Sequence, residues 1–169
     1  NHDEQRFGSD FFGKDAKNTF AALAVSLYMN TAPFMVYFGE EVGEKGMDEE
    51  GFSGRDGRTT IFDWWSISSI RRLRHLIQTG EYRHLTVGSL VKAGLKTEEA
   101  RIFKKFAGFM RFAATDSAIG MGTTYDLCYC NHSSEGFDKD RHYAFLRDFE
   151  EHTILVAANF SDKETRMKL

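Results

Sequence analysis

The chain has 169 residues, of which 41% are hydrophobic and 28% charged. That length and composition predict one domain or one and a half around a buried core, and they exclude a disordered tail. A net charge of −3, a pI near 6.1 and scattered Lys and Arg leave no basic footprint for nucleic acid, so nucleic acid is excluded as a partner.

The opening tripeptide Asn1-His2-Asp3 sets an imidazole beside a carboxylate, with Arg6 three residues further on. A carboxylate next to a histidine can stabilise a developing positive charge, bind a metal together with a neighbour such as Glu4, or cap the next helix. Residues 15 to 29 carry Phe20, Leu23, Ala24, Leu27 and Tyr28 at the spacing of an amphipathic helix, with Asp15 as its cap. Pro33, the one proline, opens the apolar run Phe34-Met35-Val36-Tyr37-Phe38, which fits a strand buried on both faces.

Residues 39 to 63 hold Gly43, Gly46, Gly51, Gly54 and Gly57, too many breakers for a regular element, and long loops of this kind in compact domains are usually functional. A helix is expected over 64 to 79, beginning at Trp64-Trp65. Its Arg71, Arg72, Arg74 and His75 read as a solvated face between Ile70, Leu73, Leu76 and Ile77. A short helix is expected near Val87 to Ala93. A long one runs from Thr97 to about residue 113, with Glu98 and Glu99 at its positive end and Ile102, Phe103, Phe106, Met110 and Ala113 on its inner face.

After Gly120 the segments 124 to 130, 142 to 148 and 153 to 160 are short, β-rich and separated by polar turns, the pattern of an antiparallel meander. The fold class is therefore α/β, with a boundary near residue 115: helices and a buried strand over 1–115, then an all-β module over 116–169. Cys128 and Cys130 sit in Cys-Tyr-Cys, where a disulfide would be strained and metal-ligand spacing is lacking, so both read as free thiols. Neither a membrane span nor a signal peptide is expected, since apolar runs are short and the first residues are polar. Compartment is left open. The 16 Phe residues fit a dense core first and sugar-stacking surfaces second.

Four segments in order resemble the α-amylase family of glycoside hydrolases. Asn1-His2-Asp3-Glu4-Gln5-Arg6-Phe7 is similar to the motif closing the seventh strand of that family's (β/α)8 barrel, and Pro33 to Gly43 resembles the eighth strand, an apolar run ending in an aromatic, Gly and acids. Asp56-Gly57-Arg58-Thr59-Thr60-Ile61-Phe62-Asp63-Trp64-Trp65 resembles a loop of amylase-like enzymes encoded with starch-use systems. Arg141 to Phe160 is similar to the β domain that follows the barrel.

The resemblance implies a TIM barrel's C-terminal portion followed by an antiparallel sandwich domain, incomplete at both ends. It implies Asp3 as the transition-state-stabilising carboxylate, His2 and Arg6 as substrate-binding residues, and an α-glucan or maltooligosaccharide as substrate. Gly39, Glu40 and Glu41 would mark a strand end or contact the sugar, while Arg58 and Trp64 would line the cleft or pack beneath it. The family's nucleophile and general acid, which in a retaining enzyme stand about 5 Å apart, come from the fourth and fifth strands. The segment matches neither, so it is expected to be inactive alone within an active parent enzyme. No metal or cofactor is expected in this segment, the family's calcium ligands lying in the missing part. Two strands cannot close a barrel, so repacking or self-association through the exposed barrel surface is expected of the isolated chain. The competing reading is a non-catalytic carbohydrate-binding or interaction module.

Overall fold

The computed structural model describes residues 4–46, 67–83, 86–131 and 135–168. They form two compact units, one from the described residues of 1–19 and 35–108, the other from those of 20–34 and 109–169.

The first unit is helical. A 3-10 turn spans Ala16–Thr19 and another Glu40–Val42; α2 is Ser68–Thr79, α3 Val87–Lys92, and the first part of α4 (Thr97–Thr115) completes it. In α2 the apolar positions Ile70, Leu73 and Leu76 recur every three residues and are buried, while the intervening arginines face outward or sideways. The helix stops at Gly80, whose φ of 71° turns the chain into the left-handed region and whose N–H donates to the Ile77 carbonyl.

α3 starts from a capping box: the Thr86 hydroxyl accepts from the Ser89 N–H at 3.0 Å, and the Ser89 hydroxyl accepts from the Thr86 N–H. Val42, Leu73, Leu76, Leu90, Leu95 and Ala100 form the core, with Val87, Ala93 and Phe103 packed against it. Glu99 sits in the first turn of α4 and accepts from the Lys96 N–H (2.8 Å) and from Arg72 Nε and Nη2 (2.9 and 2.5 Å), tying α4 to α2. Burial pushes the Glu99 carboxyl up, but the Arg72 and Lys96 contacts together hold it below its ordinary value.

The second unit packs helices on one face of a sheet. α1 is Phe20–Tyr28 and buries Phe20, Leu23, Leu27 and Tyr28, the stripe that the spacing predicts. α5 is Ser117–Met121, capped by Asp116, and α6 is Cys128–Asn131. Strands β1 (Thr123–Asp126), β2 (His142–Phe149) and β3 (His152–Asn159) pair antiparallel in the order β1-β2-β3, with Phe145 opposite Val156 and Leu146 opposite both Tyr125 and Leu155. Because side chains alternate across a strand, Tyr143, Phe145, Arg147, Ile154 and Val156 share the inner face.

Phe145 and Val156 meet Leu27, Tyr28 and Ile119 in the core. Arg147 is buried beside them. Its guanidinium donates to the carbonyls of Ala118 (3.2 Å), Ile119 (2.8 Å) and Met29 (3.4 Å) and to the Thr124 hydroxyl (2.5 Å), so one side chain satisfies the end of α1, the turn of α5 and the edge strand. The outer face leaves Tyr125 and Leu155 half exposed. Cys128 and Cys130 are free thiols.

Two local expectations differ. Residues 33–37 take part in no strand, and the described strands are the three of the meander. The run divides its side chains: Phe34 joins the second unit's core, Met35 is 81% exposed, and Tyr37 and Phe38 turn toward Arg6. A strand buried on both faces needs hydrogen-bonded neighbours, and none pairs with this segment among the described residues. Residues 128–130, expected within a strand, belong to the short helix α6, its turn led by the Asp126 carboxylate accepting from the Cys128 N–H at 2.7 Å. Among the described residues no helix is long and apolar enough to cross a membrane.

Candidate functional site

His2 and Asp3 lie outside the described residues, as do Arg58, Trp64 and Trp65. Arg6, the third residue singled out near the start, is placed in the first unit and is fully buried. Its guanidinium carbon lies 4.7 Å from the Tyr37 ring centre and 5.4 Å from that of Phe38, two rings tilted at 56° to one another. Nη1 stands 3.5 Å from Glu40 Oε1. The tail of the first motif and the tip of the apolar run are thus joined through one cation held by two aromatic faces and a carboxylate, interactions that strengthen as water is excluded.

Backbone shape makes this approach possible. Gly39 has φ 93°, a left-handed conformation open to glycine, and a Cβ there would lie 3.0 Å from the Glu44 Cβ, 3.2 Å from Arg6 Nη1 and 3.3 Å from the Ile70 Cγ1. The Gly39 N–H donates to Glu41 Oε2 at 2.8 Å, and the Gly39 carbonyl accepts from both Val42 and Glu44 N–H. Gly43 ends this turn at φ 74°, where a Cβ would strike Ile102 Cδ1 at 2.6 Å and the Ala16 Cβ at 2.8 Å. Glu44 in turn accepts from the Ser69 hydroxyl at the start of α2.

Electrostatics follow burial. Burial pushes the Glu40 carboxyl up to about 7, against the opposing pull of the Arg6 charge and of a hydrogen bond from the Phe7 N–H. Desolvation therefore prevails over the ion pair. Burial likewise raises Glu41, although its own N–H and that of Gly39 hydrogen-bond its carboxylate. Burial lowers Arg6, opposed by Glu40, Glu44, Tyr37 and Glu41, which leave it a guanidinium. A carboxyl that titrates near neutrality can exchange a proton at physiological pH, and a buried cation beside it can hold negative charge in place.

The chain leading into this node, residues 6–15, has no helix or strand yet is tightly held. The Arg6 carbonyl accepts from the Ser9 N–H, that of Phe7 from the Gly13 N–H, and that of Ser9 from both Phe12 and Lys14. Lys45 spans the loop, donating to Asp10 Oδ1 at 2.9 Å and to the Lys14 carbonyl at 2.8 Å.

Of the residues expected at the site, the structure brings together Arg6, Gly39, Glu40 and Glu41. Tyr37 and Phe38, expected as strand core, and Glu44 and Lys45, expected as loop, were not singled out; the Arg6-to-aromatic pairing has no fixed sequence spacing by which to find it. Among the described residues no group of three or more His, Cys, Asp or Glu side chains gathers where a metal ion could bind. Comparison with protein-family models, with curated proteins and with solved structures found no match for this chain.

Proposed function

We propose that this chain is the C-terminal part of the catalytic region of a retaining α-glucan-acting glycoside hydrolase resembling the α-amylases, with Asp3 as its transition-state-stabilising carboxylate and His2 as a donor to substrate hydroxyls. The single observation that supports the reading is the closure of Arg6 onto Tyr37, Phe38 and Glu40. It joins the two segments whose sequences resemble the ends of consecutive barrel strands, which is the juxtaposition that such a cleft requires. In this reading the fully buried Arg6 works from beneath the cleft, fixing the turn that begins at Gly39 and the segment that follows Asp3. Such support matters because a catalytic carboxylate must be held within about 0.5 Å of its productive position.

In a retaining glycosidase two further carboxyls, a nucleophile and a general acid, perform the bond cleavage about 5 Å apart. No motif in this chain corresponds to either, so the isolated chain is proposed to be inactive and the whole gene product active. Maltooligosaccharide hydrolysis by the whole gene product, followed by proton NMR of the newly released anomer, tests this. The α-anomer should appear first, and Asp3→Asn should slow turnover by about 10²-fold or more, as loss of one transition-state contact does elsewhere. Hydrolysis unchanged by Asp3→Asn would overturn the assignment. Glycan binding without any hydrolysis by the whole gene product would favour the non-catalytic carbohydrate-binding module instead.

A further inference from the structure

The loop between Arg6 and Asp15 holds two adjacent phenylalanines in water. Phe11 is 49% and Phe12 59% exposed. Single exposed apolar residues need no explanation, but two consecutive exposed phenylalanines on a loop held by hydrogen bonds do. The loop cannot fold them inward without breaking what holds it. Phe12 donates its N–H to the Ser9 carbonyl and Gly13 donates to Phe7, and a Cβ at Gly13 would lie 2.4 Å from the Phe7 oxygen and 2.8 Å from the Thr19 methyl. Asn18 Nδ2 donates to the Gly13 carbonyl and Lys45 clamps Asp10 to Lys14.

The rings are not isolated from the candidate site. Phe12 stacks on Phe7 with centroids 6.0 Å apart and planes 28° from parallel, and the Phe7 N–H bonds the Glu40 carboxylate. The exposed rings thus continue the Arg6–Glu40 node outward. The loop is also charged: Asp10 and Lys14 lie on it beside the two phenylalanines in sequence, Lys45 bonds both, and all three are exposed. An apolar face edged by fixed donors and acceptors matches a pyranose ring, which offers C–H bonds on its face and hydroxyls around its edge. A purely apolar partner would gain nothing from the charged residues, and an anion would gain nothing from the rings.

We propose that Phe12, with Phe11 beside it, is a sugar-stacking platform that carries one pyranose unit of a glycan just outside the Arg6–Glu40 node, with Asp10 and Lys45 bonding its hydroxyls. The position of the platform within a catalytic cleft rests on the function proposed above; the binding itself does not. Because the loop is held before the ligand arrives, little ordering cost opposes binding.

Titration of the 169-residue chain with maltoheptaose by saturation-transfer NMR and calorimetry tests this. The rings of Phe11 and Phe12 should receive saturation from the sugar, Phe12→Ala should weaken binding about tenfold, and Phe12→Trp should retain it. Position 12 is 59% exposed, so neither change should disturb folding, which circular dichroism checks. Absence of binding to any glycan, or equal affinity of the Phe12→Ala chain, would overturn the platform. So would concentration-dependent self-association that Phe12→Ala abolishes, since the rings would then be covered by a second copy. Binding that depends on Phe12 but prefers cellohexaose over maltoheptaose would keep the platform and sink the α-glucan reading.

Discussion

Replacing Gly39 with alanine isolates the contact on which the candidate site depends. The residue has φ 93°, and adopting a left-handed backbone costs alanine about 1–2 kcal/mol. The added methyl must also share space with the Glu44 Cβ at 3.0 Å, Arg6 Nη1 at 3.2 Å and the Ile70 Cγ1 at 3.3 Å. Arg6 cannot retreat, because Tyr37, Phe38 and Glu40 enclose it, and overpacking of a fixed site adds about 1–2 kcal/mol more. The expected loss is roughly 2–4 kcal/mol. Gly80→Ala is the matched control: φ is 71° there and nothing lies within 4 Å of the new methyl, so only the backbone part, about 1–2 kcal/mol, should appear. Both glycines belong to the first unit, so urea unfolding read by circular dichroism, with hydrogen exchange at the buried Leu76 and Leu90 amides, compares them directly. Equal losses at the two positions would refute the close approach of Arg6 to the Gly39 turn, and with it the geometry of the node.

Two further outcomes follow from buried charge. The Glu40 carboxyl, raised by burial to about 7 from 4.5, holds its proton more tightly folded than unfolded, so its stabilising contribution is full below pH 4.5 and is lost as pH climbs through 7. The loss is at most about 3 kcal/mol, and Glu40→Gln should flatten it; thermal unfolding between pH 4.5 and 8 that runs parallel in variant and wild type would count against the burial of Glu40. In the second unit, Arg147→Met leaves the Ile119 carbonyl without its donor, while Ala118 keeps the Gly122 N–H, and should cost about 1–3 kcal/mol, seen as early melting of hydrogen-exchange protection in β1 and α5; a loss under about 1 kcal/mol would show that the Ile119 carbonyl finds water instead.

What could be read from the sequence was what a local period encodes. The stripe of α1, the long α4 and the three strands of the meander each repeat a 3.6- or 2-residue pattern, and each is present within a few residues of its expected bounds. α4 shows the limit of that signal. Its apolar face was expected as one surface, yet Phe103 packs on the first unit's core while Met110 and Ala113 pack on the second's, a division that periodicity has no means to mark. The run 34–38 failed for a related reason: five apolar residues without a polar face look alike whether they enter a sheet or are dealt one by one to separate cores. Arg6 was expected as a substrate-binding residue, and its burial could not be read from the sequence, since arginine is seldom buried and its aromatic partners lie about thirty residues away.

The precision of the node comes from glycines and side-chain hydrogen bonds more than from secondary structure. Residues 6–15 and 35–44 contain only a three-residue 3-10 turn between them, yet Gly8, Gly39 and Gly43 are placed so that backbone or side chains from elsewhere in the unit fill the space a Cβ would take. A Cβ at Gly8 would lie 3.2–3.3 Å from Ala16, and one at Gly43 would strike both Ile102 and Ala16, so that the loop, the turn after Gly39 and α4 meet at common points. None of these contacts survives if one partner is missing, because no local helix or strand holds its segment in shape alone. The site should therefore form only when the whole first unit folds, and its hydrogen-exchange protection should vanish with that of Leu76 and not before it.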